Sequence, residues 1–124
     1  MPADERFVRG LELFNRGEYF ECHEVIEGLW LETAEADAFR DLYKGVIQAA
    51  AAIYQWDRGI LTGARGLCRT AIEYLEKYRP RSLGLDVEKL AREMKICSNT
   101  LEQWDEKSPL PRVPGLTPVL KYEV

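Results

Sequence analysis

Hydrophobic positions recur at helical spacing along most of the chain. Phe7, Leu11 and Phe14 lie at i, i+4 and i+7, which places them on one face of a first helix. Gly17 follows that helix and is suited to the left-handed conformation that often ends one. The same spacing and its end signals predict four more helices, over residues 18–33, 37–59, 62–79 and 86–104. No useful length of chain alternates apolar and polar residues as a strand would. The pattern therefore predicts an all-α protein, a helical bundle of about five helices.

Polar residues mark where several of these helices begin. Asp37, Thr62 and Asp86 are placed to cap the third, fourth and fifth helices. Leu85 and Leu90 flank the last of these caps as a hydrophobic staple. The inner face predicted for the fifth helix consists of Leu90, Met94, Cys97 and Leu101.

The chain beyond Ser108 differs from the rest in composition. Four of its residues are prolines, which predicts an extended tail over 108–124. Its aliphatic residues indicate that the tail lies against the bundle. We therefore expect a single domain over 1–124, with a core at 7–78, a C-terminal helix at 86–104 and this tail.

Two stretches of the chain resemble each other at an offset of 42 residues. FNRGEYFECHEVIEGL aligns with WDRGILTGARGLCRTA, which places Gly17 on Gly59 and Ile26 on Cys68. Each stretch reads as a Gly-containing turn that leads into a helix. Their spacing resembles the turn region of tetratricopeptide helix hairpins. We therefore expect two such hairpins packed into a four-helix core, with the fifth helix and the tail covering one side.

Charge and composition narrow the classes of partner. The net charge is −4, which disfavours binding to nucleic acid or to anionic membranes through general electrostatics. The longest uncharged run, residues 45–56, is too short to span a bilayer. The opening MPADERF does not resemble a signal peptide. Three widely spaced cysteines fit reduced thiols, so we expect a cytoplasmic protein.

The second helix carries the only histidine, in the stretch YFECHEVIEGLW. On a helical wheel, His23 and Glu27 lie inside the apolar arc between Phe20 and Trp30. They are four residues apart, so their side chains can hydrogen-bond on one face. A separate polar arc, expected to be solvated, contains Glu18, Glu21, Glu24 and Glu32. We therefore expect a buried His23–Glu27 pair.

The third helix offers polar partners for this pair. No charge occurs between Lys44 and Asp57, so this helix is expected to be central. Lys44 and Gln48 share one stripe, and we expect Gln48, together with Lys44, to face the histidine pair. The candidate binding site is therefore His23, Glu27, Gln48, Trp30, Phe20 and Lys44.

The run LFNRGEYFECHEVIEGLW, followed by YKGVIQAAAAIYQWDRGILTGA, resembles the family called domain of unknown function 309. This is a family of small all-helical proteins from bacteria, archaea and plastids. The resemblance covers residues 7–75, and it implies a helical bundle with a site around His23, Glu27, Trp30 and Gln48. Many relatives have His where this chain has Gln55, which weakens any chemistry that needs a second His. The motif positions are Phe14, Asn15, Gly17, Tyr19, Phe20, His23, Glu24, Glu27, Trp30, Gly45, Ile47 and Gln48.

Three function classes fit these residues. The first is a ligand- or protein-binding module with an unknown protein or small-molecule partner, and a homodimer is compatible with it. The second is a metal-dependent or acid/base enzyme that uses His23 and Glu27, with Glu24 as a third candidate metal ligand. A single His and no Gly-rich phosphate loop give no complete catalytic motif, so no cofactor is predicted. The third is a purely structural network.

Overall fold

The computed structural model describes residues 3–123, and the predicted all-α bundle is confirmed within them. Five helices follow one another in this range, and each packs against the next. The only strands in this range, β1 and β2, form a two-residue antiparallel hairpin before the last helix. The elements are α1 Glu5–Asn15, α2 Tyr19–Glu32, α3 Arg40–Asp57, α4 Leu61–Glu76, β1 Arg81–Ser82, β2 Leu85–Asp86 and α5 Val87–Glu102.

The turns after α1 and α3 have the same geometry. Gly17 and Gly59 have φ angles of 80° and 74°, a left-handed conformation that glycine adopts without a Cβ penalty. The next residue in each turn donates its backbone N–H to the carbonyl oxygen five residues earlier, from Glu18 to Leu13 and from Ile60 to Gln55, both at 2.9 Å. This bond is the mark of a Schellman motif, and it occurs at matching positions of the two aligned stretches. The closer likeness to tetratricopeptide hairpins stays a prediction.

One of the three predicted helix caps is confirmed. The Asp86 carboxylate accepts a hydrogen bond from the backbone N–H of Lys89 at the start of α5. The Asp37 cap was wrong, because its carboxylate accepts from Phe39 N–H in a turn that precedes α3. The Thr62 cap was also wrong, because α4 already begins at Leu61.

The core lies along the helix faces that the pattern predicts. Phe7, Leu11 and Phe14 of α1 are at most 1% exposed. The predicted inner face of α5 is fully buried as well. The α3 helix packs against both α2 and α4, and it supplies Trp56, the largest fully buried side chain. Because α3 lies between α2 and α4, the stripe that carries Lys44 and Gln48 can contact either neighbouring helix.

Residues 108–123 form no helix and cross the bundle. The Asn15 side chain pairs with both backbone groups of Leu120, at 2.8 and 2.9 Å. The Trp56 indole N–H donates to the carbonyl oxygen of Pro111. Leu120 is buried, whereas Val119 is 54% exposed. In the described range, every helix is too short or too polar to cross a lipid bilayer.

Candidate functional site

His23 and Glu27 form the predicted pair on the outer side of α2. His23 Nε2 lies 3.1 Å from Glu27 Oε2, as the four-residue spacing predicts. The expectation that the pair is buried was wrong, since the side chains are 30% and 41% exposed. The α2 helix has a wide apolar arc, but only α1 and α3 pack against it closely. Phe20 and Leu31 on the same arc are therefore exposed too.

A small recess opens beside this pair, between the start of α2 and the end of α3. We call it the His23 recess; its volume is about 200 Å³ and its lining is Tyr19, Phe20, His23, Ala51, Tyr54 and Gln55. The Phe20 ring is 50% exposed and lies 5.7 Å from the Tyr54 ring. Ala51 is too small to fill the space between the helices. The recess therefore has aromatic walls and two polar side chains, His23 and Gln55.

Trp30, further along α2, lies beside Lys44 of α3. The Lys44 ammonium lies 4.3 Å from the centre of the Trp30 ring, and the Arg40 guanidinium lies 4.2 Å from it. Cations over an indole ring are attracted by its electron-rich face. The Trp30 indole N–H is buried and has no acceptor among the described residues. We call these three side chains the Trp30 shelf. They form a positively charged surface on the same face as the His23–Glu27 pair.

Gln48 is engaged elsewhere. Its side-chain oxygen accepts a hydrogen bond of 2.7 Å from the Thr70 hydroxyl of α4. It makes no hydrogen bond to His23 or Glu27, so the expected three-residue polar cluster does not form. A helix residue on a central stripe can face either neighbour, and Gln48 faces α4. The six candidates are therefore divided among the His23 recess with the adjacent Glu27, the Trp30 shelf and the α3–α4 contact.

The three candidate metal ligands do not converge on one point. Glu24 lies 3.4 Å from the Nδ1 atom of His23, whereas Glu27 lies beside Nε2. Because these nitrogens are on opposite sides of the imidazole, the two carboxylates cannot share one ion with the same nitrogen. Within residues 3–123, no group of three His, Cys, Asp or Glu side chains is arranged to hold a metal.

The thiols are buried and lie outside the recess. Burial raises the pKa of Cys22 and of Cys68 to about 12, and that of Cys97 to about 11. A thiol must lose its proton to act as a nucleophile, so these are packing residues near neutral pH.

Sequence reasoning missed several residues of this surface. The candidate residues did not include Arg40, Tyr54 or Thr70. One usable signal was present, since Arg40 and Lys44 are four residues apart and so share a helix face. Gln55 was noticed only as a departure from the family pattern, yet it lines the recess.

The fold and this surface define a small all-helical protein with a polar pair beside a recess. The sequence profile of the family described as domain of unknown function (DUF309) matches residues 7–67. The predicted membership is confirmed, and the chain belongs to this family. A Bacillus subtilis (strain 168) protein, described as uncharacterized protein YpuF, is 34% identical over 87 residues. That similarity covers 68% of this chain and 49% of YpuF, so the chain spans about half the length of this relative.

Proposed function

We propose that the protein is a binding module whose His23 recess receives one apolar side chain of a partner protein. The observation that carries the proposal is the half-exposed Phe20 ring, packed on Tyr54 at the edge of an open recess. A volume of about 200 Å³ is below the roughly 300–1,000 Å³ of small-molecule sites. It suits a single side chain, inserted between aromatic walls as binding anchors are.

Two polar groups of the recess can orient the inserted segment. The Gln55 side-chain amide makes no hydrogen bond with any of residues 3–123, so its donors and acceptor are free for a partner backbone. The His23 ring lies between the carboxylates of Glu24 and Glu27, at 3.4 and 3.1 Å. A few placed polar groups in an apolar site give orientation and specificity.

The Trp30 shelf indicates the charge of the partner. Neither Lys44 nor Arg40 forms an ion pair within residues 3–123. Trp30 follows His23 by seven residues, which is about 10 Å along a helix. We therefore expect the partner segment to carry an acidic residue about 10 Å from its apolar anchor. An amphipathic helix that lies in a groove presents side chains at this spacing.

The test is selection of 12-residue peptides displayed on phage against the full chain. We expect enriched peptides to share one large apolar residue with an acidic residue two turns away. Phe20→Ser should weaken their binding at least tenfold, and Ala51→Leu should do the same by filling the recess. Leu31→Ser is the matched control, because Leu31 is 67% exposed on the same helix and does not line the recess. Equal loss in Phe20→Ser and Leu31→Ser would refute the site.

Acid/base or metal chemistry by the His23–Glu27 pair is a second proposal. It is favoured by the 3.1 Å contact at the edge of a recess that a substrate group can enter. Elemental analysis of wild type and Glu27→Gln, purified without chelators, tests the metal version. Near-stoichiometric metal in the wild type alone would support it, whereas equal traces in both proteins would count against it.

A further inference from the structure

The Trp30 shelf holds two cations that the described part of the chain leaves unpaired. Arg40 and Lys44 are half-buried, and their charged groups lie 4.2 and 4.3 Å from the centre of the Trp30 ring. Neither forms an ion pair within residues 3–123. Asp41, the acidic residue next to Arg40 in the sequence, is paired with Lys77 instead. Two positive charges therefore converge on one ring without a carboxylate beside them.

The Trp30 side chain adds a hydrogen-bond donor that lacks a partner. Its indole nitrogen is the one buried side-chain nitrogen or oxygen atom without a hydrogen bond among the described residues. The indole N–H groups of Trp56 and Trp104 donate to the carbonyl oxygens of Pro111 and Pro109, at 3.0 and 2.9 Å. Buried donors normally have an acceptor. The unused N–H of Trp30 therefore indicates a ligand that supplies one.

Arg40 has donors to spare on the same shelf. Its Nε atom donates to the Thr33 carbonyl oxygen at 3.3 Å, whereas its two Nη atoms have no partner within residues 3–123. Arg40 is also the first residue of α3, whose N-terminus has no side-chain cap, so the positive end of the helix dipole adds to the local field. A guanidinium fork, an ammonium group and an indole N–H thus offer donors around one ring.

We propose that the Trp30 shelf binds a phosphate monoester. At neutral pH this group carries a charge of about −1.5 to −2 and three strong acceptor oxygens. It therefore balances both cations and gives the Trp30 N–H an acceptor, whereas a carboxylate has one charge and two oxygens. The phosphate group belongs either to a phosphorylated side chain of the partner segment or to a free phosphate ester. The first source rests on the proposed function, because the His23 recess must hold the same segment.

The experiment titrates the full ¹⁵N-labelled chain at about pH 7.5 with phenyl phosphate and, in parallel, with benzoate. The two probes share a ring and differ in the anion. We expect phenyl phosphate to shift the Trp30 indole N–H resonance saturably, with an affinity at least tenfold above that of benzoate. The Trp56 and Trp104 indoles are internal controls, because their N–H groups already have acceptors. Equal affinities, no saturation, or equal shifts of all three indoles would overturn the proposal.

Variants assign the binding to the shelf. Lys44→Met and Arg40→Met each remove one charge and keep an apolar stem, so phenyl phosphate should bind about tenfold more weakly. Trp30→Phe keeps an aromatic ring and removes the N–H, and we expect a loss of about fivefold by calorimetric titration. Arg58→Met is the matched control, because Arg58 also lies over an aromatic ring, 5.6 Å from that of Tyr54. An equal loss in Arg58→Met would overturn the site, and melting curves show whether each variant is folded.

A pair of peptides distinguishes the two sources of the phosphate group. A phage-selected peptide is synthesised with phosphoserine or with glutamate at its acidic position. A gain of at least tenfold for phosphoserine, lost in Lys44→Met, would assign the phosphate to the partner. No gain, together with saturable binding of phenyl phosphate, would assign the shelf to a free ester. If the selection enriches no peptide, the proposed function fails, while the phenyl phosphate titration still decides whether the shelf binds phosphate.

Discussion

The two helix hairpins α1–α2 and α3–α4 have turns of the same geometry. They differ in how their second helices, α2 and α4, contact the next helix in the chain. At the 42-residue offset, His23 of α2 corresponds to Arg65 of α4. The Arg65 guanidinium donates to the Leu101 and Trp104 carbonyl oxygens, at 2.7 and 2.9 Å, and its side chain is only 16% exposed. A long side chain thus fills the contact between α4 and the end of α5. The shorter His23 leaves a recess at the matching contact with α3.

The same comparison holds one turn later. Arg69 corresponds to Glu27, and it reaches across to the Glu102 carboxylate of α5 at 2.6 Å. Glu27 instead contacts His23 on its own helix. The second hairpin therefore directs these two side chains to the next helix, whereas in the first hairpin they contact each other on one helix. This difference favours binding at α2, where the chain leaves part of a repeated contact unfilled.

The largest effect is expected where α1 and α2 touch most closely. A Cβ atom on Gly10 would lie 2.3 Å from the Ile26 side chain, so Gly10→Ala should cost on the order of 3 kcal/mol by overpacking. The aligned pair in the second hairpin is Ala52 and Cys68, both fully buried. Ile26→Cys should therefore relieve much of the cost of Gly10→Ala.

Urea unfolding of the two single variants and the double variant measures this coupling. We expect the double variant to lose at least about 1 kcal/mol less than the sum of the two single losses. Additive losses would contradict the equivalence of the two helix pairs.

A smaller effect is expected in the two turns. Gly17 and Gly59 have positive φ angles, and nothing lies within 4 Å of a Cβ atom added to either. Alanine at either position should therefore cost only backbone strain, about 1–2 kcal/mol. The losses of Gly17→Ala and Gly59→Ala, measured as urea midpoints, should agree closely. A large difference between them would show that the two turns are not equivalent.

The smallest effect concerns the buried thiols, of which α2 carries Cys22 and α4 carries Cys68. Burial raises both pKa values to about 12 from the ordinary 9.0. The unfolded chain therefore loses these protons near pH 9 while the folded chain keeps them, so stability falls as the pH rises above that value.

The contribution of one thiol should be less than about 1 kcal/mol near pH 9.5. Cys68→Ala should flatten the decline in unfolding free energy between pH 8 and 9.5 relative to wild type. Parallel declines in the two proteins would contradict the assigned cause.

The sequence predicted the helices well because their signals are local. The spacing of Phe7, Leu11 and Phe14 fixes a face, and the glycine after α1 fixes a turn, without any knowledge of distant contacts. The His23–Glu27 contact was also predictable, because it depends only on a four-residue spacing. The starts of α3 and α4 were less predictable, since Asp37 has the right chemistry for a cap but serves a preceding turn.

Burial and choice of neighbour could not be predicted in the same way. Gln48 was expected to face His23, but its stripe also faces α4, and Thr70 satisfies it there. The wide apolar arc of α2 predicted burial of His23, although no element within residues 3–123 covers that side. Such outcomes depend on which helix lies next to which, and a single sequence does not encode this locally.

The most direct test of the binding proposal introduces into the first hairpin a side chain that occurs at the aligned position of the second. His23→Arg places at the recess the side chain that fills the matching contact at Arg65. Calorimetric titration would measure the affinity of a phage-selected peptide for wild type, for His23→Arg and for the Leu31→Ser control. The proposal predicts a loss of at least tenfold, about 1.4 kcal/mol, for His23→Arg alone, with an unchanged melting midpoint. An unchanged affinity in His23→Arg, or a selection that enriches no peptide, would contradict it.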